Sequence, residues 1–85
     1  EDLLTQRVSL CNVTFRGDAS RPMQAKIRYR SQAVEASLLS QGDIHSPLWE
    51  RKATLAFAED VWGVTPGQSC VLYQDGLVVG GGIIE

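Results

Sequence analysis

The stretch Ser69-Cys70-Val71-Leu72-Tyr73-Gln74-Asp75-Gly76-Leu77-Val78-Val79-Gly80-Gly81-Gly82-Ile83-Ile84 decides the fold. Asp75-Gly76 sits between two apolar, β-branched runs, which is the sequence signature of a two-residue type I′ hairpin. Strands are therefore predicted over Ser69–Gln74 and Leu77–Ile84. Gly80-Gly81-Gly82 invites comparison with a phosphate loop, but such a loop aims its amides from the helix that follows it. Only Ile83, Ile84 and Glu85 follow here. The triplet reads instead as a close backbone approach or a bulge in a closing strand.

Working outward, Thr65-Pro66-Gly67-Gln68 places Pro and Gly at the centre of a type II turn. Pro presets φ there and Gly accepts positive φ. Further strands are predicted over Gln6–Phe15, Gln24–Arg30, Ala33–Leu39 and Ala53–Ala58. The first changes phase, with Val8 and Leu10 on one face and Cys11, Val13 and Phe15 on the other, as a bulge or bend would produce. Gln41–Lys52, with Gly42, Pro47 and Trp49, reads as a longer hairpin connection. Six short strands in 85 residues cannot make two well-covered sheets, whereas closing on themselves removes the exposed edges. The expected fold is all-β, a small closed or nearly closed six-stranded barrel.

Composition agrees with one small domain. Hydrophobic residues make up 44% and charged residues 21%, the balance of an ordinary globular chain rather than a disordered one. No apolar run approaches the roughly 18 residues of a membrane span. Glu1-Asp2-Leu3-Leu4 lacks the basic start and apolar stretch of a signal peptide, so no membrane association is expected. Cys11 and Cys70 are too few for a disulfide framework and point to a reducing setting, with the cytoplasm expected and a similar organelle interior the alternative. With His45 they would not complete the roughly four ligands of a zinc site, so no metal is expected.

An enzyme reading finds little to stand on. Nucleophilic catalysis needs a Ser or Cys with a partner base, and His45, beside Asp43 in a predicted loop, reads as part of a solvated turn. Charge is more informative. Residues 1–34 carry six basic side chains against three acidic ones, while residues 35–85 carry two against seven. The net charge of −2 argues against an autonomous, non-specific nucleic-acid binder, yet leaves room for a local basic surface.

Ala25-Lys26-Ile27-Arg28-Tyr29-Arg30 supplies one. Strand alternation puts Lys26, Arg28 and Arg30 on one face, about 7 Å apart, with Ile27 and Tyr29 on the other. Such a row can neutralise successive phosphates, and Lys26 and Arg30 are candidate phosphate contacts. A solvated strand face is the alternative.

Taken in order, four motifs resemble the C-terminal domain of the tRNA-specific 2-thiouridylase family. They are the 25–30 run, Val64-Thr65-Pro66-Gly67-Gln68-Ser69, Tyr73 with Asp75-Gly76, and Gly80-Gly81-Gly82-Ile83-Ile84. The resemblance implies a barrel like the second domain of elongation factor Tu, with residues 1–85 as a single C-terminal domain. It also implies a larger parent enzyme, whose ATP-binding catalytic domain and central domain lie outside this sequence. That parent uses ATP with magnesium to adenylate the C2 oxygen of the wobble uridine. Persulfide sulfur then replaces the oxygen to give 2-thiouridine.

The implied partners are tRNA, the other domains of the enzyme and a sulfur-donor protein. No cofactor and no catalytic residue is implied within these residues. Cys70 stands where the family often carries alanine. By the same resemblance Arg28, Tyr29 and Gln68 touch tRNA. Arg28 can fork onto a phosphate, Tyr29 can stack, and Gln68 can donate and accept at a base edge or sugar. Two bland readings stand beside these, Tyr29 as a core aromatic and Gln68 as a cap on its own turn. A rival for the whole domain is a scaffold between domains with no RNA contact, which exposed Trp49 or Leu39 would favour.

Overall fold

The chain closes into a six-stranded antiparallel barrel, seen in a computed structural model that describes residues 4–27, 32–41 and 46–85. The strands are β1 (Leu4–Phe15), β2 (Met23–Lys26), β3 (Val34–Gln41), β4 (Lys52–Trp62), β5 (Ser69–Gln74) and β6 (Leu77–Ile84). Around the barrel they run β1-β4-β3-β2-β5-β6, and β6 returns to β1. A 3-10 turn at Leu48–Glu50 is the one helical element among the described residues. No described helix is long and apolar enough to cross a membrane.

The expected hairpin forms as read. β5 and β6 occupy the predicted residues, and Asp75 (φ 53) and Gly76 (φ 79) both adopt the positive φ that a type I′ turn requires. Gly67 (φ 92), with Gln68 N–H donating to the Thr65 carbonyl, completes the Pro-Gly turn.

The phase change in β1 is a bulge. Pairing to β6 slips between Cys11 and Thr14, and Asn12 sits at φ 52, a conformation Asn tolerates better than most side chains. Val8 and Leu10 before the bulge and Val13 after it are all buried, and Phe15 packs against them. One extra residue thus keeps both halves of a twelve-residue strand facing one core.

Other boundaries differ from the sequence expectation. β4 runs on to Trp62 because its pairing to β1 shifts at a bulge between Arg7↔Ala56 and Thr5↔Val61, which leaves residues 57–60 opposite a single β1 residue. Phe57 still faces the core, and residues 58–60 are exposed. The acidic Glu59-Asp60 pair, which looks like a strand terminator, is exposed on that bulge. β3 likewise extends to Gln41 by looping out Leu39. β2 is described only as far as Lys26, with Ile27 in a bend. Arg28, Tyr29, Arg30, Asp43 and His45 lie outside the described residues.

All six strands feed the core, which centres on Leu10, Met23, Leu55, Leu72 and Cys70. One polar side chain joins it. In β5 burial alternates through Cys70 and Leu72 to Gln74, so Gln74 points inward. Its Oε1 accepts from Asp18 N–H at 3.0 Å, and its Nε2 donates to the Asp18 carbonyl at 2.9 Å. The amide thus satisfies itself on the β1–β2 loop, as a buried polar group must.

Closure rests on the glycine triplet. A Cβ on Gly80 would run into the Thr14 carbonyl, and one on Gly81 into the Cys70 carbonyl. One on Gly82 would come within 2.9 Å of the Cys11 carbonyl. The reading as a close backbone approach holds on both sides of β6. Gly81→Ala is expected to cost about 1–3 kcal/mol, the usual range for forced overpacking. Urea unfolding checks this, and an unmoved midpoint would mean β6 has slack against β5.

Candidate functional site

Antiparallel pairing sorts the loops into two ends. At one, β2 finishes, β3 starts, β5 starts after the Thr65–Gln68 turn, and β6 finishes. This is the turn end. At the other, the hairpin end, lie Asp75-Gly76, the finish of β1 and the start of β2.

The described start of the basic run leads toward the Thr65–Gln68 turn at the turn end. The β2–β5 register runs Gln24↔Tyr73, Ala25↔Leu72, Lys26↔Val71, so each step along β2 moves one residue back along β5 toward Gln68. Lys26 is half-buried on the outer face, while Ala25 is buried and Ile27 packs on the core. The alternation expected of the basic run therefore holds as far as it is described.

Gln68 is held firmly. Gly67 N–H donates to the Ile84 carbonyl at 2.7 Å, and Ile84 N–H donates to the Gln68 carbonyl at 2.8 Å. These two bonds tie the turn to the end of β6. The side chain also caps its own turn, its Oε1 accepting from Thr65 N–H at 2.9 Å. The capping alternative is thus realised for the carbonyl oxygen. The Nε2 group, a two-proton donor, is the part of the amide left to meet a ligand.

The structure does not gather all the positive charge into one patch. Arg16 and Arg21 fall at the hairpin end, and Arg21 Nη2 donates to both carboxylate oxygens of Asp75, at 3.1 and 3.2 Å. That pair is well exposed and contributes little to stability. Beside it, Asp18 accepts from both the hydroxyl and the N–H of Ser20, which holds its carboxyl below the usual range. Among the described residues no group of three or more His, Cys, Asp or Glu side chains is placed to hold a metal.

Sequence reasoning missed a groove along the outer face of β2 and β5. It encloses about 460 Å³ and is lined by Gln24, Lys26, Gln32, Ala33, Tyr73 and Gly76. Its signal was available in part, since Tyr73 alternates with the buried Leu72 and Gln74 and must face outward. At the hairpin end Trp49 is 73% exposed and Leu39 50%, the exposure weighed for a scaffold, and the feature sequence reasoning missed is Leu77 at 70% and Val78 at 65%.

With this geometry in view, the comparisons with known proteins decide the family. The model of the aminomethyltransferase β-barrel domain matches residues 1–84. A tRNA-specific 2-thiouridylase from Gloeothece citriformis is 42% identical over 84 residues, covering 91% of this chain and 22% of the relative. The chain belongs to the tRNA 2-thiouridylase family, as its C-terminal β-barrel domain. Similar relatives with the same description occur in Chromobacterium violaceum, 38% identical over 98% of this chain, and in Dehalococcoides mccartyi, 36% over its full length. The chain spans about a fifth of the length of these relatives.

Cys70 is buried on the core face of β5, and burial pushes its thiol up to about 11. At neutral pH it stays protonated and a poor nucleophile. Because the folded chain keeps this proton after the unfolded chain has lost it near pH 9, stability is expected to fall from about pH 9 to 11. Urea midpoints across that window check it, and Cys70→Ala should flatten the fall. An equal fall in the variant would assign it to other groups.

Proposed function

We propose that this barrel is the tRNA-contacting C-terminal domain of a tRNA-uridine 2-sulfurtransferase, which thiolates C2 of the wobble uridine to give 2-thiouridine. The observation that carries the reading is that, in a family barrel, Lys26 at the end of β2 pairs with Val71, three residues beyond the pinned Gln68 turn. Here the domain holds the tRNA while the chemistry occurs elsewhere in the parent, which would supply the ATP–magnesium site, the persulfide cysteine and the dock for a sulfur-donor protein. A cytoplasmic setting suits the two free cysteines.

In this reading Arg28 supplies a bidentate phosphate contact, and Lys26 and Arg30 add single charges along the same backbone. Tyr29 stacks, and Gln68 donates through Nε2 from a turn whose backbone is fixed before the RNA arrives. A donor held this way loses little freedom on binding.

Arg28→Ala combined with Gln68→Ala in the full-length protein is expected to weaken tRNA binding and slow thiolation. The salt slope of binding should fall by about 0.7–0.9 for each phosphate no longer neutralised. Melting midpoints measured alongside separate removal of the Thr65 cap from a weaker grip on the RNA. Unchanged binding and thiolation would sink the reading.

The hairpin end supports a second role, docking against the rest of the enzyme. Trp49 and Leu48 lie exposed on the 3-10 turn, with Leu39 on β3 and Leu77 and Val78 at the start of β6. This is the exposure a scaffold reading calls for. It leaves the turn end free for RNA, so the roles are compatible. An exposed surface substitution usually changes stability by no more than about 0.5 kcal/mol. Trp49→Ser in the full-length protein should cost clearly more than that if Trp49 is covered there. A denaturation midpoint matching the parent protein would rule the docking out.

A further inference from the structure

We infer that the groove on the outer face of β2 and β5 seats one unstacked nucleotide of the tRNA, with Tyr73 as the stacking platform and Lys26 as the phosphate contact. The inference rests on the proposed tRNA-binding role and adds a site and a binding mode to it. Its volume, about 460 Å³, lies within the roughly 300–1,000 Å³ of small-ligand sites.

The lining has the chemistry a nucleotide needs. Gln24 stands directly opposite Tyr73 across the β2–β5 ladder, so a side-chain amide flanks the aromatic ring. Lys26 follows two residues on along the same outer face, about 7 Å away by strand rise. Gln32 lies on the approach to β3, and Ala33 and Gly76 add little bulk. Stacking on Tyr73 accepts any base, and the two glutamines can each donate and accept at a base edge or ribose hydroxyl.

Charge points the same way. Among the described residues no acid lines the groove, and Lys26 has no ion-pair partner. Glu35 is the acid in register with this face, opposite Gln24 on the β3 side, and it does not pair with Lys26. A lysine without an ion-pair partner among the described residues, lining the same groove as a tyrosine, suits a phosphodiester better than an apolar ligand. The groove is also continuous with the candidate interface. Lys26 lies opposite Val71, three residues beyond Gln68, and in sequence the basic run lies between the lining residues Lys26 and Gln32.

The test is tRNA binding by the full-length protein, measured over a salt series for Tyr73→Ala, Tyr73→Phe, Lys26→Gln and Gln68→Ala. Tyr73→Ala should weaken binding about five- to a hundredfold, as loss of one base stack does, while Tyr73→Phe keeps the ring and stays within about twofold. Lys26→Gln should lower the salt slope by about 0.7–0.9. It serves as the independent arm should Tyr73→Ala fail to fold, because Lys26 is not in the core. Wild-type affinity in Tyr73→Ala with a wild-type slope in Lys26→Gln would overturn the nucleotide seat. If Gln68→Ala alone weakens binding, the tRNA role survives and only the seat fails. If all variants bind as the parent does, both fail. A lower melting midpoint for folded Tyr73→Ala, with binding unchanged, would assign the groove to another part of the enzyme and also overturn the seat.

Discussion

The barrel depends on how closely the β6 backbone can approach its two neighbours. Gly80, Gly81 and Gly82 face carbonyls of Thr14, Cys70 and Cys11, in space where a Cβ would collide. Removing side chains on this stretch lets β1 and β5 come within ladder distance of the same strand, and the sheet closes without a free edge. Closure then reaches the candidate site directly. The end of β6 offers the Ile84 carbonyl and N–H that pin the Thr65–Gln68 turn, so Gln68 is fixed by the same strand that seals the barrel.

A second consequence of closure is polarity along the barrel axis. Antiparallel pairing sends the finish of β2 and the start of β5 to one end, and the β5–β6 hairpin with the 3-10 turn to the other. The turn end carries Gln68 and leads into Lys26 and the groove beside Tyr73. The hairpin end carries exposed Trp49, Leu77 and Val78, and there Arg21 is bound to Asp75. The Gln68 turn and the exposed Trp49 thus lie at opposite ends of the barrel. At the hairpin end the buried Gln74 amide clamps the β1–β2 loop at Asp18.

Where local pattern and tertiary demand coincide, the sequence is legible to the residue. β5, β6 and the Asp75-Gly76 turn are read correctly because alternation, β-branching and turn chemistry all speak about neighbours in the chain. The β1 bulge is legible for the same reason, as a shift of phase between Leu10 and Val13. The extension of β4 is not. Glu59 and Asp60 look like a loop, and only their bulge against β1 lets the strand continue to Trp62. Gln74 escapes notice although its phase with Cys70 and Leu72 places it inside, because a glutamine beside a turn reads as solvated.

By itself the sequence determined the strand inventory, the two turns, the need for closure and the ordered motifs of the family, all properties of short stretches of chain. Tertiary structure alone decided which residues meet. Gln24, Lys26, Gln32 and Tyr73 are separated by up to 49 positions, yet line one groove because β2 pairs with β5 on one side and with β3, which Gln32 precedes, on the other. Likewise, only the fold places Arg21 against Asp75, at the opposite end of the barrel from the Gln68 turn. The physical reason is that strand pattern fixes which face a side chain takes, while register between strands distant in sequence fixes what it faces.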